Sequence, residues 1–289
     1  GAPPPESQRY FRGMVLWDFD GRAWLPGGTA RRRMPPVPVG IRDPVTRYEV
    51  TLLPSHQHWM FALDVPIDTP EDARMGPDHT LRSIRPINQT IRYRVESATD
   101  YRLAPEGLAP RIRAAALELP DGFDPRARAL AASWRARAHR NDAAIVRDAL
   151  DLFRSGGFVY SLDAPPLGRD SIDDFLFDTR TGFCEHYASA FTFLMRAAGI
   201  PARVVVGYQG GYWNDFARYL LVRQSDAHAW SEVWIEGRGW VRVDPTAAVS
   251  RVELASTAAA GDVGGGSRDW WLPWQDRLDV INRWWGQTV

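Results

Sequence analysis

The chain has 289 residues, and its 35 basic and 35 acidic residues give a formal net charge of zero at pH 7. This balance argues against nucleic acid as the main partner, because nucleic-acid binding needs a basic excess to displace phosphate counterions. A hydrophobic share of 45% indicates a folded globular protein rather than a disordered one. No apolar run approaches the roughly 18 residues of a membrane-spanning helix.

Residues 1–120 are predicted to form a β-rich region. Short runs of aromatic and β-branched residues alternate with polar residues there, and turn residues such as Asp20-Gly21 and Pro54 separate them. The clearest runs are MVLWDF, RYEVTLL and TIRYRVES. A period of two that is broken by Pro and Gly is typical of antiparallel strands.

Helical patterns begin near residue 125. The run PRARALAASWRARAHR starts at Pro125, which suits a first helical turn, and NDAAIVRDALDLFRSGG has helical spacing that ends at Gly156. In the following DSIDDFLF, Ser171 and Asp174 have the spacing of a capping box. The aspartates of this stretch lack the loop spacing of a calcium site, so helix capping is the preferred interpretation.

The single cysteine of the chain, Cys184, lies in RTGFCEHYASAF, directly before another helical pattern. The apolar stripe of that helix consists of Ala188, Phe191, Leu194, Met195 and Ala198. A lone cysteine is often a small core residue, but such a residue would more naturally lie on the stripe. Cys184 is instead predicted at the helix N-terminus, where unpaired N–H groups and a partial positive charge favour a nucleophilic thiolate.

Four candidate strands follow the helix: ARVVVGY, RYLLVRQ, HAWSEVWI and WVRVDP. A hairpin turn over 236–239 joins the last two and would place residue 228 opposite residue 246. Asp244 then lies on the diagonal of His228 and on the same face, where a carboxylate and an imidazole can form a hydrogen bond. The hairpin therefore supplies a base and its orienting group for the nucleophile Cys184.

Four other residues are candidates for supporting the site or for contacting a substrate: Gly182, Glu185, His186 and Trp230. A side chain at Gly182 would crowd an incoming substrate. His186 lies two positions along the helix from Cys184, so it points to another face and has a supporting or structural role. Trp230 follows His228 by two residues and would exclude water, with core packing as the alternative. The N–H of Cys184 and one unidentified donor would hold an oxyanion.

The end of the chain has a composition of its own. Residues 251–269 are rich in Ala, Gly and Ser, which predicts a flexible linker. The run WWLPWQDRLDVINRWW over 270–285 is dense in tryptophan. Contact with a membrane interface and docking of a helix on the protein body are both open interpretations of this run.

The segments GFCEHYA, AAGIPARVVVGY, DAHAWSEVWI and GRGWVRVDPTA, in this order, resemble the transglutaminase-like core of papain-type topology. The segment LWDFDGRAW and the tryptophan-rich end resemble bacterial membrane-anchored members of that superfamily. The resemblance implies an α+β fold in which the helix carrying the cysteine packs on an antiparallel sheet. It divides the chain into an N-terminal β-rich region (1–120), a catalytic core (121–250), and a linker with a juxtamembrane tail (251–289).

The resemblance also implies roles for the site residues. Cys184 would be the nucleophile, His228 the general base and acid, and Asp244 the orienting group, with no cofactor and no metal. The chain would be an extracytoplasmic, periplasmic domain of an inner-membrane protein, held by flanking segments that are absent from this sequence. Its oligomeric state stays open.

Three functions are compatible with these residues. The first is acyl transfer from a protein glutamine side chain, through a thioester on Cys184, to a primary amine or to water. The second is a cysteine peptidase or amidase that hydrolyses peptide or cell-wall amide bonds, and the third is a non-catalytic binding module. Amine incorporation separates the first from the second. The sequence contains no lysine, so the enzyme would be unable to cross-link itself through its own side chains.

Overall fold

A seven-stranded antiparallel sheet organises the part of the chain that the computed structural model describes, residues 3–28, 37–42, 45–138 and 141–249. Strands are numbered in chain order. Across the sheet they are β4 (Val39–Ile41), β12 (Tyr101–Leu103), β19 (Gly239–Val243), β18 (Ala227–Ile235), β15 (Ala202–Gln209), β1 (Tyr10–Leu16) and β7 (Ala62–Leu63).

Shorter sheets surround the central one. Two have three strands, in the orders β6 (Trp59–Met60), β10 (Leu81–Ser83), β9 (Ala73–Met75) and β5 (Thr46–Leu52), β11 (Ile91–Ala98), β8 (Val65–Pro66). The pairs are β2 (Asp18–Phe19) with β3 (Trp24–Leu25), β13 (Val159–Tyr160) with β14 (Thr181–Gly182), and β16 (Tyr212–Asn214) with β17 (Tyr219–Leu221). The runs MVLWDF, RYEVTLL and TIRYRVES fall in β1–β2, β5 and β11, so the N-terminal β-rich region is confirmed.

The β-rich region shares the central sheet with the later part of the chain. Strand β1 pairs with β15 along its whole length, from Tyr10 opposite Gln209 to Leu16 opposite Val204. Residues before 120 provide four strands of the sheet and residues after 200 provide three. The division at residue 120 thus stays a prediction, and the linker and tail predicted over 251–289 lie outside the described residues.

Five helices lie beside these sheets: α1 (Pro110–Ala115), α2 (Pro125–Ala138), α3 (Asp142–Ser155), α4 (Ser171–Asp173, continued by a wider π-helical turn over Asp174–Thr179) and α5 (Cys184–Ala197). The predicted starts at Pro125 and Cys184 are both observed. Helix α3 begins where the Asn141 side chain accepts a hydrogen bond from the Ala144 N–H, and it ends before Gly156 as predicted.

The predicted capping box of Ser171 and Asp174 is wrong. Neither of these two side chains caps helix α4: its N–H groups at Ile172 and Asp173 donate to the Asp124 carboxylate at 2.9 and 3.1 Å, and Asp174 instead accepts the N–H of Gly168 at 2.6 Å. The capping carboxylate in this stretch belongs to Asp173, which accepts two N–H groups of the first turn of α2, at 2.9 and 2.7 Å. The reason is tertiary packing: the carboxylate caps a neighbouring helix rather than its own, which local spacing does not reveal.

The second of the four strands predicted after α5 is also different. Of RYLLVRQ, only Tyr219–Leu221 is a strand, and it pairs with β16 in a small separate hairpin. Gly210 and Gly211 precede this hairpin with φ of +93° and +95°, a conformation that turns the chain out of the central sheet. The other three candidates form β15, β18 and β19.

Helix α5 packs against the central strand β18. The Ser231 hydroxyl on β18 lies 2.9 Å from the Thr192 hydroxyl and donates to the Ala188 carbonyl at 3.1 Å, so a buried polar contact fixes the helix on the sheet. All five residues of the predicted stripe are buried. The expected α+β architecture, with the cysteine helix on an antiparallel sheet, is confirmed.

A buried ion group joins three central strands. Glu232 on β18 lies directly opposite Arg203 on β15, and Arg203 Nε donates to Glu232 Oε2 at 2.8 Å. Arg12 on β1 donates to both oxygens of the same carboxylate. All three residues are at most 1% exposed. Burial alone would raise the pKa of Glu232, but the two guanidinium groups lower it to about 2, so the carboxylate is ionised.

We predict that Glu232→Gln destabilises the protein by about 3–5 kcal/mol, because it leaves two buried guanidinium groups without a counter-charge. Urea unfolding followed by tryptophan fluorescence measures the loss. The matched control is Asp178→Asn, which removes one charge of an ion pair with Arg126 whose side chains are half exposed (52% and 54%). That change is expected to cost at most about 1 kcal/mol. Equal losses in the two variants would contradict the prediction.

Candidate active site

Cys184 is the first residue of α5 and is 9% exposed. The preceding residue, Phe183, is extended (φ −119°, ψ −174°), and its N–H donates to Nδ1 of His186 at 3.3 Å. This bond satisfies one of the free N–H groups at the start of the helix. The thiol therefore lies at the positive end of a 14-residue helix, as the sequence predicts.

The residues next to Cys184 have separate roles. A Cβ atom at Gly182 would lie 2.7 Å from Cβ and Cγ of His186, so the glycine makes room for that ring, whereas the sequence analysis attributed it to an incoming substrate. His186 caps the helix and packs on Phe183 at 4.6 Å between ring centroids. Burial lowers the pKa of His186, which favours the neutral ring that the cap requires. Glu185 is exposed.

His228 and Asp244 form a hydrogen bond, in which Nε2 of the imidazole donates to Oδ2 of the carboxylate at 2.7 Å. Strands β18 and β19 pair with Ser231 opposite Val243 and Trp234 opposite Trp240. This register is the one that the sequence analysis used to put position 228 opposite position 246. The hairpin turn thus determines the pairing, and the diagonal placement of the two side chains follows from it.

The Asp244 carboxylate has four hydrogen-bond donors. Oδ2 accepts from His228 and from the Tyr10 hydroxyl at 2.8 Å, and Oδ1 accepts from the N–H and the hydroxyl of Thr246 at 3.0 and 2.6 Å. Burial alone would raise the pKa of Asp244, but these bonds and the charge of His228 lower it to about 2. The carboxylate is therefore ionised and fixed in orientation.

The Cys184 side chain lies close enough to His228 to interact with its imidazole. Because Nε2 is engaged by Asp244, Nδ1 is the nitrogen available to the sulfur. Burial alone would lower the pKa of His228, but the interactions with Asp244 and Cys184 raise it to about 10. A protonated imidazole beside the sulfur favours the thiolate, which is the reactive form of cysteine.

Tyr160 on β13 is a member of the site that the sequence analysis missed. Strand β13 pairs in parallel with β14, with Tyr160 beside Gly182, and this pairing brings the phenol within hydrogen-bonding reach of the N–H and the side chain of Cys184. Burial and the neighbouring Cys184 raise the pKa of Tyr160, so the phenol keeps its proton. The run FVYS in the sequence carries no signal of this contact, because a two-residue parallel pairing creates it.

The position of Trp230 agrees with both roles that the sequence left open, which are core packing and exclusion of water. It is 1% exposed and belongs to the core cluster on one side of the sheet. Its ring also lies 6.3 Å from the His228 ring in a stacked arrangement and 5.2 Å from Tyr10 edge to face. The indole is thus a core side chain whose face shields the imidazole from water.

Known proteins resemble two parts of the chain. Residues 128–245 match the transglutaminase-like superfamily, and residues 2–104 match the TgpA N-terminal domain. A protein-glutamine gamma-glutamyltransferase of Pseudomonas aeruginosa is 45% identical over 270 residues, which are 91% of this chain and 39% of that protein. The uncharacterized protein YebA of Bacillus subtilis is 36% identical over 137 residues, 45% of this chain and 18% of that protein. The chain thus spans less than half the length of these curated relatives.

Solved structures show the same relationship. The periplasmic domain of TgpA from Pseudomonas aeruginosa bound to ethylmercury is 44% identical, with a TM-score of 0.80 over 86% of this chain and 88% of that one. A second structure of that domain gives a TM-score of 0.79 at 45% identity, over 86% and 85% of the two chains. None of the helices in the described residues is long and apolar enough to cross a membrane. From its matched core, its N-terminal domain and its fold, the chain belongs to the transglutaminase-like superfamily.

Proposed function

We propose that this chain is a cysteine-dependent acyltransferase that acts on glutamine side chains of proteins. The observation that carries the proposal is the arrangement of Cys184, His228 and Asp244, in which the imidazole that bonds to the carboxylate also interacts with the thiol at a helix N-terminus. The relative named protein-glutamine gamma-glutamyltransferase supports this class of reaction. A periplasmic location and anchoring by segments outside this chain are part of the proposal.

Acylation begins with attack of the Cys184 sulfur on the γ-carboxamide carbon of a substrate glutamine. The new C–S bond forms a tetrahedral intermediate, and Nδ1 of His228 then gives its proton to the departing nitrogen. The C–N bond breaks, ammonia leaves, and a thioester remains on Cys184. Asp244 keeps the imidazole oriented throughout, because its four hydrogen bonds fix the carboxylate.

The oxyanion of this intermediate needs donors close to the sulfur. The N–H of Cys184 is one, and the Tyr160 hydroxyl is the second donor that the sequence did not identify. In the free site the phenol lies within reach of this same N–H, so we propose that it occupies the place of a substrate oxygen. On substrate binding the phenol moves aside and gives its own proton to a hydrogen bond with the oxyanion.

Deacylation transfers the acyl group to a primary amine or to water. The incoming amine loses a proton to Nδ1 of His228 as the new C–N bond forms, the C–S bond then breaks, and Cys184 leaves as the thiolate. Attack by water instead gives glutamate, which is deamidation. Because this chain contains no lysine, none of its own side chains can supply the amine, and the proposed acceptor is a lysine of a second protein.

We predict that Cys184→Ala abolishes incorporation of a fluorescent primary amine into dimethylated casein under reducing conditions. Treatment of the unchanged chain with ethylmercury, in the absence of a thiol reductant, is expected to cause the same loss, since Cys184 is its only thiol. The same substitution at two histidines distinguishes their roles. His228→Gln is expected to lower the rate of amine incorporation by about 10³-fold or more. His186→Gln, which keeps an acceptor for the helix cap, is expected to retain most of it.

Residual incorporation by Cys184→Ala would contradict the assignment of the nucleophile. No incorporation by the unchanged protein, together with rapid alkylation of Cys184, would instead favour a peptidase or amidase. A thiol that resists alkylation would favour a non-catalytic binding module.

We predict that Tyr160→Phe lowers kcat by about 10²-fold, the usual cost of losing an oxyanion donor. The ring contact with Tyr187, 6.2 Å between centroids, is kept in this variant, so the fold is retained. Alkylation of Cys184 by iodoacetamide should keep its rate, because that reaction has no oxyanion. Tyr208→Phe, which removes a hydroxyl bonded to Gln224, is the control. An unchanged kcat in Tyr160→Phe would show that this phenol has only a packing role.

We predict that Asp244→Asn moves the alkaline limb of the pH profile to lower pH. The carboxylate offsets the burial of His228 and holds its pKa at about 10. Its removal lowers that pKa by about 1–3 units, so the imidazolium is lost at lower pH. Profiles of kcat/KM between pH 6 and 10.5 measure the shift, with Asp178→Asn as the control. If the alkaline limb does not move, a group other than His228 produces it.

A further inference from the structure

Exposed apolar side chains are concentrated in one small hairpin. We call residues 210–223 the aromatic arm; it contains β16, β17 and the turn between them. Eight large hydrophobic side chains are exposed in the described part of the chain, and four of them lie within residues 212–221. These are Tyr212 (60% exposed), Phe216 (100%), Tyr219 (48%) and Leu221 (38%). Clustered exposure of this kind marks interaction surfaces.

The strand register places three of these four side chains on one face of the arm, and Phe216 lies in the turn between the strands. Tyr212 lies opposite Leu221, and Asn214 lies opposite Tyr219, so the three exposed apolar residues of the strands share a face. Trp213 and Leu220 form the other cross-strand pair, and both are half-buried. The outward face of the arm is therefore apolar, whereas the outward face of a surface hairpin is ordinarily polar.

The arm leaves the central sheet beside the candidate base. Gly207 on β15 lies opposite His228 on β18, and the arm begins three residues after Gly207. At about 3.3 Å per residue, its base lies roughly 10 Å along the strand from the position of His228. The two adjacent glycines Gly210 and Gly211, both with positive φ, form the junction.

The charges of the arm favour a polypeptide, rather than a membrane surface, as its binding partner. The arm carries one acidic residue, Asp215, and two basic residues, Arg218 in its turn and Arg223 at its end, and Trp213 Nε1 donates to Asp215 at 2.7 Å. It has no cluster of basic residues of the kind that attracts anionic lipids. An uncharged aromatic face suits the apolar side chains of an extended peptide.

We propose that the outward face of the aromatic arm binds the polypeptide segment that carries the reactive glutamine. Apolar side chains flanking that glutamine contact Phe216 and Tyr219, which holds the segment near the sulfur of Cys184. The inference rests on the proposed acyl transfer and adds the element that selects protein substrates. It follows that glutamines flanked by aromatic or aliphatic residues are preferred.

The test compares a protein donor with a small donor. The double variant Phe216→Ser/Tyr219→Ser is assayed for amine incorporation into dimethylated casein and for hydroxamate formation from acetyl-glutaminyl-glycine, a small donor with no apolar group beside its glutamine. The KM for casein is expected to rise roughly tenfold through loss of apolar contacts, with kcat and the small-donor reaction unchanged. The control is Leu53→Ser, which removes another exposed apolar side chain (69%) outside the arm and should change neither reaction.

The outcomes distinguish failure of the docking role of the arm from failure of the proposed acyl transfer. Equal kinetics of the double variant and the unchanged protein on both donors would overturn the docking role and leave acyl transfer intact. No activity of the unchanged protein on either donor would overturn the proposed function and the inference together. If the double variant fails to fold, Phe216→Ser alone is used, because Phe216 is fully exposed. Cosedimentation with phosphatidylethanolamine–phosphatidylglycerol vesicles that depends on Phe216 would assign the arm to lipid and overturn the proposal.

Discussion

The carboxylate of Glu232, held between Arg12 and Arg203, is the interaction on which the central sheet depends. It connects β18 to both β15 and β1, so the strand that carries His228 is tied to the strand that carries Tyr10. The guanidinium of Arg203 also lies over the rings of Trp17 and Trp240, at 4.9 and 4.0 Å from their centroids. A shift of one residue in the pairing of β1, β15 or β18 would separate these buried charges. The ion group therefore specifies the register of the three strands.

That register determines the geometry of the candidate site. Asp244 receives hydrogen bonds from His228 on the neighbouring strand and from Tyr10, which lies 234 residues earlier in the sequence. The β-rich region therefore contributes directly to the electrostatics of the cysteine site, because its tyrosine helps to keep the Asp244 carboxylate ionised. Around the sulfur, the start of helix α5 and the imidazolium of His228 act in the same direction, since both favour a negative charge there.

Sequence reasoning was sufficient where the determinants are local. The start of helix α5 follows from its own residues, and the pairing of β18 with β19 follows from a short turn. The contact of His228 with Asp244 could therefore be predicted from the sequence. Tyr10 and Tyr160 could not, because strand pairings between distant segments bring them to the site. Asp173 caps a helix remote in sequence. Arginines at positions 12 and 203 would ordinarily be assigned to the surface, and the carboxylate that they share, on a third strand, explains their burial.

The strand order has a consequence for how the protein can be divided. Strand β15 lies between β18 and β1, so a fragment that begins after residue 120 would expose one whole edge of β15. That edge would present the unpaired N–H and C=O groups of ARVVVGYQ, a segment of high β-propensity, to other chains. The part of the sequence that matches the transglutaminase-like superfamily thus shares its sheet with a strand that lies outside it. Without β1, the open edge of β15 would favour self-association of that part.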